Sequence, residues 1–399
     1  MKRLVFCFDG TWNRLDAKFP TNVVSTAENV LPCSADGTVQ SVFYDDGVGS
    51  AKKGRFAGGL FGSGLVDNLA EAYRFLIFNH VHGDEIYAFG FSRGAFTARS
   101  FIGLINNSGI LQRSHASRAS EAVELYQMRE TTDAFAERMH VFRGQYAPQV
   151  CVSEAENEWR CANIAGYRSW QAPLPKVKYV GVWETVGALG VPRYIWNSSN
   201  FNRRHQFHNT SLSPTVEYAR HAVAIDERRV DFEPTLWDNL DALNAGRGAS
   251  TSDADAPYQQ KWFPGVHGAV GGGGDRRGLS DLALEWIWQG ARQAGLEFDP
   301  ACSFNSCNGS SHCTEFLNNR SRRSFFDLAT TLMNRLPQDD RLPGPEALHE
   351  VSIEARARWH ADSAIIAEKR PYRPRTLARV AEALDREPPK PDRIDLALL

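Results

Sequence analysis

Ile86-Tyr87-Ala88-Phe89-Gly90-Phe91-Ser92-Arg93-Gly94 is an apolar run that ends in Gly-x-Ser-x-Gly, and its reading decides the fold. Ala95, Phe96, Ala98, Phe101, Ile102 and Ile105 follow at helical spacing. A strand that turns sharply into a helix around one serine is a nucleophile elbow. Glycine is expected at 90 and 94 because the backbone crowds itself there and a Cβ would clash. Ser92 is then expected in a strained conformation, its hydroxyl above the sheet edge and open to a base.

Working outward, Lys2–Phe8 reads as a buried strand ending in the turn cluster Asp9-Gly10-Thr11-Trp12-Asn13. Val39–Tyr44 reads as a second strand, Gly54–Gly64 as a flexible glycine-rich loop, and Leu65, Leu69, Ala72 and Leu76 as one face of a helix ending near His80. Glu85–Phe89 leads into the elbow. Residues 112–176 are mostly polar, helical over Ala119–Phe142, and have the character of an inserted cap. Val177–Trp183 reads as a fourth strand, ending in Glu184-Thr185-Val186-Gly187. The pattern then predicts a helix near Pro214–Ala224, a mobile loop over 244–257 and a short strand at Gln260–Phe263. Pro264-Gly265-Val266-His267 and four glycines follow, before an amphipathic helix at Asp281–Ala294 capped by Ser280. Glu346–Lys369 is helix-like, and Glu387–Leu399 reads as loosely held.

This alternation predicts an α/β fold of α/β-hydrolase type, a mainly parallel sheet with helices on both faces and an inserted helical cap. Residues 1–377 are expected to form the hydrolase domain and 378–399 a C-terminal tail. Sites in such sheets lie beyond the carboxyl ends of the strands, where each turn cluster falls.

Bulk composition excludes several classes. Of 399 residues, 42% are hydrophobic and 23% charged, enough for a large core. A formal net charge of −2 gives no field to recruit nucleic acid or an anionic membrane. The basic start Met1-Lys2-Arg3 precedes an apolar run that stops at Asp9, too short for a signal peptide, and no run is long enough for a transmembrane segment. The chain is expected to be cytoplasmic as synthesised, any export needing a route without a cleaved signal. Seven cysteines leave at least one thiol unpaired within the monomer. Cys302, Cys307 and Cys313 cluster beside His312, but their spacing matches no usual zinc site, so no metal is assigned.

A serine hydroxyl needs a base, itself oriented by an acid. Ser92, Glu184 and His267 follow at strand ends in the order such folds use. Asp226 and Asp281 are reserve acids, His208 and His221 reserve bases, and Asp281 reads more simply as a first-turn helix acid. The oxyanion donors are expected to be the Arg93 amide and an amide of Gly10-Thr11. Asp9 and Asn13 read as closing an Asx-type turn. Trp12 could line an acyl pocket, while Trp183, Trp262, Trp286 and Trp288 read mostly as core. The arginine pairs at 203–204, 228–229 and 276–277 could hold a substrate phosphate, with Arg228 and Arg229 as the substrate-binding candidates, although pairs on solvated loops are common. No cofactor is required.

Phe8-Asp-Gly-Thr-Trp-Asn13, Gly90-Phe-Ser92-Arg-Gly-Ala95, Gly181-Val-Trp-Glu-Thr-Val-Gly187, Asp226-Glu-Arg-Arg229 and Gly265-Val-His267 with its glycine run resemble the α/β-hydrolase domain of class-one type VI secretion lipase effectors and their uncharacterised relatives. The resemblance implies a Ser/acid/His hydrolase of phospholipase A type, with Ser92 as nucleophile and His267 as base. Glu184 stands where that family usually has Asp, and Ala269 where relatives commonly carry Asp. The resemblance leaves open an immunity protein or a secretion-machinery partner. A lipid is the leading substrate class. A small soluble ester or amide is the alternative, since little beyond the hydrolase motifs remains to associate with membrane. The departures at 184 and 269 keep a degenerate binding module as a third reading.

Overall fold

Leu4, Phe6 and Phe8 point to one face of strand β1 (Arg3–Phe8) and Val5 and Cys7 to the other, all fully buried, so both faces of the sheet must be covered. The computed structural model describes residues 1–11, 13–47, 60–128, 132–187, 210–301, 312–321 and 338–387. After β1 come α1 (Asn22–Asn29), β2 (Gln40–Asp45), α2 (Leu60–Asn79), β3 (Glu85–Phe91) and α3 (Arg93–Ser108). Helices α4 (Ala119–Met128), α5 (Asp133–Tyr146) and α6 (Glu154–Asn163) follow, then β4 (Lys176–Trp183), β5 (Val216–Ala224), α7 (Leu240–Ala245) and β6 (Tyr258–Phe263). The chain continues through α8 (His267–Gly271), α9 (Gly278–Gln293), α10 (Ile353–His360) and α11 (Ala381–Arg386).

The six strands run in the order β2-β1-β3-β4-β5-β6, and every pairing is parallel. The chain steps outward from β1 to β2 and returns past β1 to β3, so its direction reverses between β1 and β3. That reversal opens a crevice at their carboxyl ends. Phe91 lies opposite Trp183 in the register, which makes Ser92 and Glu184 the next residues at the same level of adjacent strands. Helices α2, α3 and α4 cover one face, burying Leu69, Leu76, Ala98, Phe101 and Val123 against Phe6 and Ile86. Apolar residues of α5, Phe135, Met139 and Phe142, join this layer. Helices α1 and α9 cover the other face through Val23, Ala283, Leu284, Ile287 and Trp288. A third cluster packs residues 351–384 against Val223, Ile225 and Trp262.

Several sequence expectations need correction. Residues 216–224 are strand β5, not a helix: its alanines with Glu217 and Arg220 suit helix propensity, but burial between β4 and β6 overrides it. Ser280 is not the N-cap of α9. The helix starts at Gly278 after Arg277, and Ser280 is buried inside it, donating to the Arg277 carbonyl at 2.9 Å. Gly62 and Gly64 belong to the first turns of α2, so the loop ends sooner than expected. Ala119–Phe142 is divided between α4 and α5, and Glu346–Lys369 holds only the short α10 with a 3₁₀ turn before it. The 244–257 stretch is tied at both ends of the Asn244 side chain, which donates to the Tyr258 carbonyl and accepts from the Tyr258 amide. Cys7, Cys33, Cys151 and Cys161 are free thiols. Trp12, Arg203, Arg204, His208, Cys302, Cys307 and the tail from 388 lie outside the described residues.

The elbow rests on close backbone approach. A Cβ on Gly94 would lie 2.1 Å from the Phe8 carbonyl oxygen, an atom fixed in the sheet. Gly94→Ala is therefore expected to destabilise the protein by about 3 kcal/mol or more. Gly166→Ala meets nothing within 4 Å and pays only for its φ of +80, about 1 kcal/mol. Urea unfolding of both variants checks this; equal losses would contradict the account.

Candidate active site

Ser92 stands between β3 and α3 with φ 57 and ψ −121, a backbone region that a side chain normally avoids. Its amide donates to the Trp183 carbonyl at 3.0 Å, pinning the elbow to the end of β4. Glu184, the residue that follows β4, also has a positive φ, 52, and is fully buried. Its amide donates to the Ala222 carbonyl of β5 at 2.8 Å. His267 opens α8 in the turn after β6, its amide donating to Glu227 Oε2 at 3.2 Å. The structure brings these three side chains together from positions far apart in sequence.

His267 Nε2 lies 2.9 Å from Ser92 Oγ, and Nδ1 lies 2.8 Å from Glu184 Oε2. An ionised carboxylate only accepts, so Nδ1 carries the proton and Nε2 accepts from the serine hydroxyl. The imidazole is held between Phe91, with ring centres 4.7 Å apart, and the edge of Phe232, at 4.8 Å. Burial pushes the His267 pKa down and Glu184 opposes that shift; the net direction is below the ordinary histidine value. For Glu184, burial pushes the carboxyl up. The Arg341 charge, with hydrogen bonds from His267 and Arg341, overrides burial and holds it well below the carboxylate range.

The oxyanion candidates lie where β1 and α3 meet. Arg93 is the first residue of α3, and amides in the first turn of a helix suit a developing negative charge. The Gly10 amide is already engaged, donating to Asp9 Oδ1 at 2.7 Å. The buried Thr11 Oγ1 has no hydrogen-bond partner among the described residues. Asp9 does more than close a local turn. Its Oδ2 accepts from Thr21 Oγ1 at 2.8 Å and Tyr44 OH at 2.9 Å, tying the loop to α1 and β2, and burial raises its pKa to about 6. The Asn13 amide closes the turn onto the Gly10 carbonyl.

The reserve residues are occupied elsewhere. Asp226 Oδ2 accepts from the Gly265 amide and Tyr372 OH, bracing the turn before His267, and burial raises its pKa to about 6. Asp281 pairs with Arg277 at the start of α9. His221 is fully buried in β5, where burial pushes it down to about 3; its neutral Nε2 accepts from the Thr185 amide at 3.2 Å. Arg229 forks onto Glu227 and lies 3.6 Å over the Phe232 ring, while Arg228 pairs with Asp340. Arg276 lies over the Phe316 ring. Trp183 and Trp288 are fully buried and Trp262 nearly so. Among the described residues no group of three or more His, Cys, Asp or Glu side chains could hold a metal ion, and no helix is long and apolar enough to cross a membrane.

The family described as type VI secretion, phospholipase effector Tle1-like, catalytic domain, matches residues 2–290, a span that contains Ser92, Glu184 and His267. The chain belongs to this family. A yeast relative, the uncharacterized protein YEL023C of Saccharomyces cerevisiae, is 26% identical over 247 residues, covering 58% of this chain and 32% of its own length. An uncharacterized Pseudomonas aeruginosa protein of known crystal structure is 16% identical with a TM-score of 0.35, covering 74% of this chain and 46% of that one. A Tle1 effector solved bound to the VgrG spike of the type VI secretion system is 18% identical, also with a TM-score of 0.35, covering 68% and 51%. This Tle1-like chain thus spans about a third of the yeast relative and about half of each solved chain.

Two contacts of the site were not foreseen, and both come from beyond residue 290. Arg341 lies against Glu184, and Asn319 Nδ2 donates to the Gly268 and Gly272 carbonyls at 2.7 and 3.1 Å, fixing the glycine turn that carries His267. A buried Glu after a strand calls for a cation, but nothing in the pattern around Asp339-Asp340-Arg341 says which one. Gly272 and Gly273 take φ near +85, and a Cβ on Gly271 would lie 2.0 Å from the Phe91 ring, which explains the glycine run. Asn319→Ala removes both donors from that turn and is expected to destabilise the protein by about 1–3 kcal/mol in chemical denaturation. A change below about 0.5 kcal/mol would show that the turn holds itself.

Proposed function

We propose that this Tle1-like chain is a serine hydrolase that cleaves carboxylic esters through an acyl-enzyme, with phospholipid as the substrate class. The observation that carries the reading is the continuous relay from Ser92 Oγ through the His267 ring to Glu184 at 2.9 and 2.8 Å. In this reading Ser92 Oγ attacks the ester carbonyl and its proton passes to His267 Nε2. Glu184 keeps the ring in the tautomer that can take that proton and stabilises the imidazolium. The Arg93 and Thr11 amides face the oxyanion, because the Gly10 amide is held by Asp9. His267 then protonates the departing alkoxide, giving the alcohol and the acyl-Ser92 ester. Water, deprotonated by the same nitrogen, attacks that ester; His267 returns the proton to the departing Ser92 Oγ, releasing the fatty acid and restoring the serine hydroxyl.

Family membership supports the lipid substrate and also a partner in the secretion machinery. Arg228 and Arg229 are weaker candidates for a phosphate headgroup, since each already faces a carboxylate.

Ser92→Ala is expected to lower kcat by about ten-thousand-fold or more on phospholipid vesicles and on short-chain p-nitrophenyl esters. A fluorophosphonate should label the native chain at Ser92 and leave the variant unlabelled. Hydrolysis that survives the substitution would end the serine mechanism; Ser92-dependent hydrolysis of soluble esters alone would end the lipid assignment. Because burial lowers the His267 pKa, the acid limb of kcat/KM should lie below about pH 6.5, the ordinary imidazole value. The base form is lost only when pH falls through that lowered value. A limb centred above it would contradict this account.

A further inference from the structure

We infer that Arg341 is a positioning residue of the active site, a fixed guanidinium fork that holds the Glu184 carboxylate in place for His267. The inference rests on the serine-hydrolase reading, and residue 341 lies past the family-matched span.

Geometry carries it first. Arg341 Nη1 donates to Glu184 Oε1 at 2.7 Å and Nη2 to Oε2 at 2.9 Å, a bidentate pair with both partners buried. The fork is itself anchored. Nη1 also donates to the Ala224 carbonyl at the end of β5 and Nη2 to the Phe232 carbonyl, at 2.8 and 2.6 Å. Phe232 in turn sets its ring edge against the imidazole. One guanidinium therefore ties the acid, the end of β5 and a wall of the histidine pocket together.

The reason such a clamp is needed lies in the residue type at 184. Glutamate has one more rotatable bond than aspartate, so its carboxylate has more ways to miss the imidazole. Each oxygen is fixed by two donors: Oε1 by the Ala224 amide and Nη1, Oε2 by Nη2 and His267 Nδ1. The backbone around Arg341 is placed by the motif that supplies the arginine pair. Arg229 forms an antiparallel bridge with Gln338, the Asp339 amide donates to the Arg228 carbonyl, and Asp340 pairs with the Arg228 side chain. Asp226-Glu-Arg-Arg229 thus serves as the rail along which residues 338–341 run to the site.

Charge carries it second. Among the described residues, the charged or titratable groups facing Glu184 and His267 are Arg341, Glu227 with its partner Arg229, and His221, which is neutral. Glu227 and Arg229 largely cancel, leaving Arg341 as the counter-charge of the buried acid. Without it the carboxylate either takes a proton in the working range or presses its whole charge on the imidazole. Both outcomes move the acid limb of the pH–rate profile upward.

The test uses the full chain with Arg341→Met and Arg341→Lys, assayed on a short-chain p-nitrophenyl ester beside wild type and Ser92→Ala. Arg341→Met should lower kcat by about a hundredfold, leave KM nearly unchanged and raise the acid limb by about one pH unit. Arg341→Lys keeps the charge but loses the fork; it should recover the limb and only part of kcat. Should Arg341→Met fail to fold, the lysine variant decides: wild-type kcat there overturns the inference, and lowered kcat with an unmoved limb supports it. Folded variants with wild-type kcat and pH profile overturn it as well. A wild-type chain with no Ser92-dependent hydrolysis brings down the serine-hydrolase reading itself, whereas active wild type with unaffected Arg341 variants defeats this inference alone.

Discussion

A carboxylate removed from water has to find its solvation inside the protein, and the burial of Glu184 imposes that demand on everything around it. Four donors meet its two oxygens, drawn from the end of β5, from His267 and twice from Arg341. These donors come from three separate parts of the chain, so the carboxylate acts as the point where the sheet, the histidine turn and residues 338–341 are joined. Loss of Arg341 would leave the buried charge without its counter-charge, a far larger penalty than loss of an exposed pair.

The sheet supplies the frame for that junction. Strand order makes β1 and β3 the place where the chain reverses direction, and the register brings Ser92 and Glu184 level just past the ends of neighbouring strands. Both residues pay with a positive φ. Strain of this kind persists where surrounding bonds over-determine it. Here the Ser92 amide is held by Trp183 and the Glu184 amide by Ala222, so two ladder-like bonds fix the two unusual backbones. His221 adds a neutral acceptor under Thr185, a role for which a permanently charged side chain would be unsuited.

How much of this could be read from the sequence depended on locality. Ser92, Glu184 and His267 each sit where an apolar run meets a turn, and parallel sheets gather such positions at one edge, so the sequence pattern alone suggested their proximity. β5 is hard to read locally: Glu217 and Arg220 stand three apart among alanines, a spacing that resembles a helix when the flanking strands are unseen. Ser280 looked like a cap because serine before an acid usually is one, yet Arg277 with Asp281 closes that turn instead. Arg341 and Asn319 left no trace at all. Their partners are a carboxylate and carbonyls in distant turns, and long-range side-chain bonds write no periodicity into a sequence.

The third apolar cluster has a practical consequence for where this fold can be cut. Val351 makes a parallel bridge with Trp262 and the Ser352 amide donates to its carbonyl, so the segment at 351–352 occupies the outer border of β6. A fragment ending with the family match at 290 would uncover that strand's unpaired amides and carbonyls together with the Trp262 and Ile225 side chains. Bare sheet borders recruit strands from other molecules. Such a fragment would be prone to aggregate, and recombinant forms of this chain should retain the segment through Leu384.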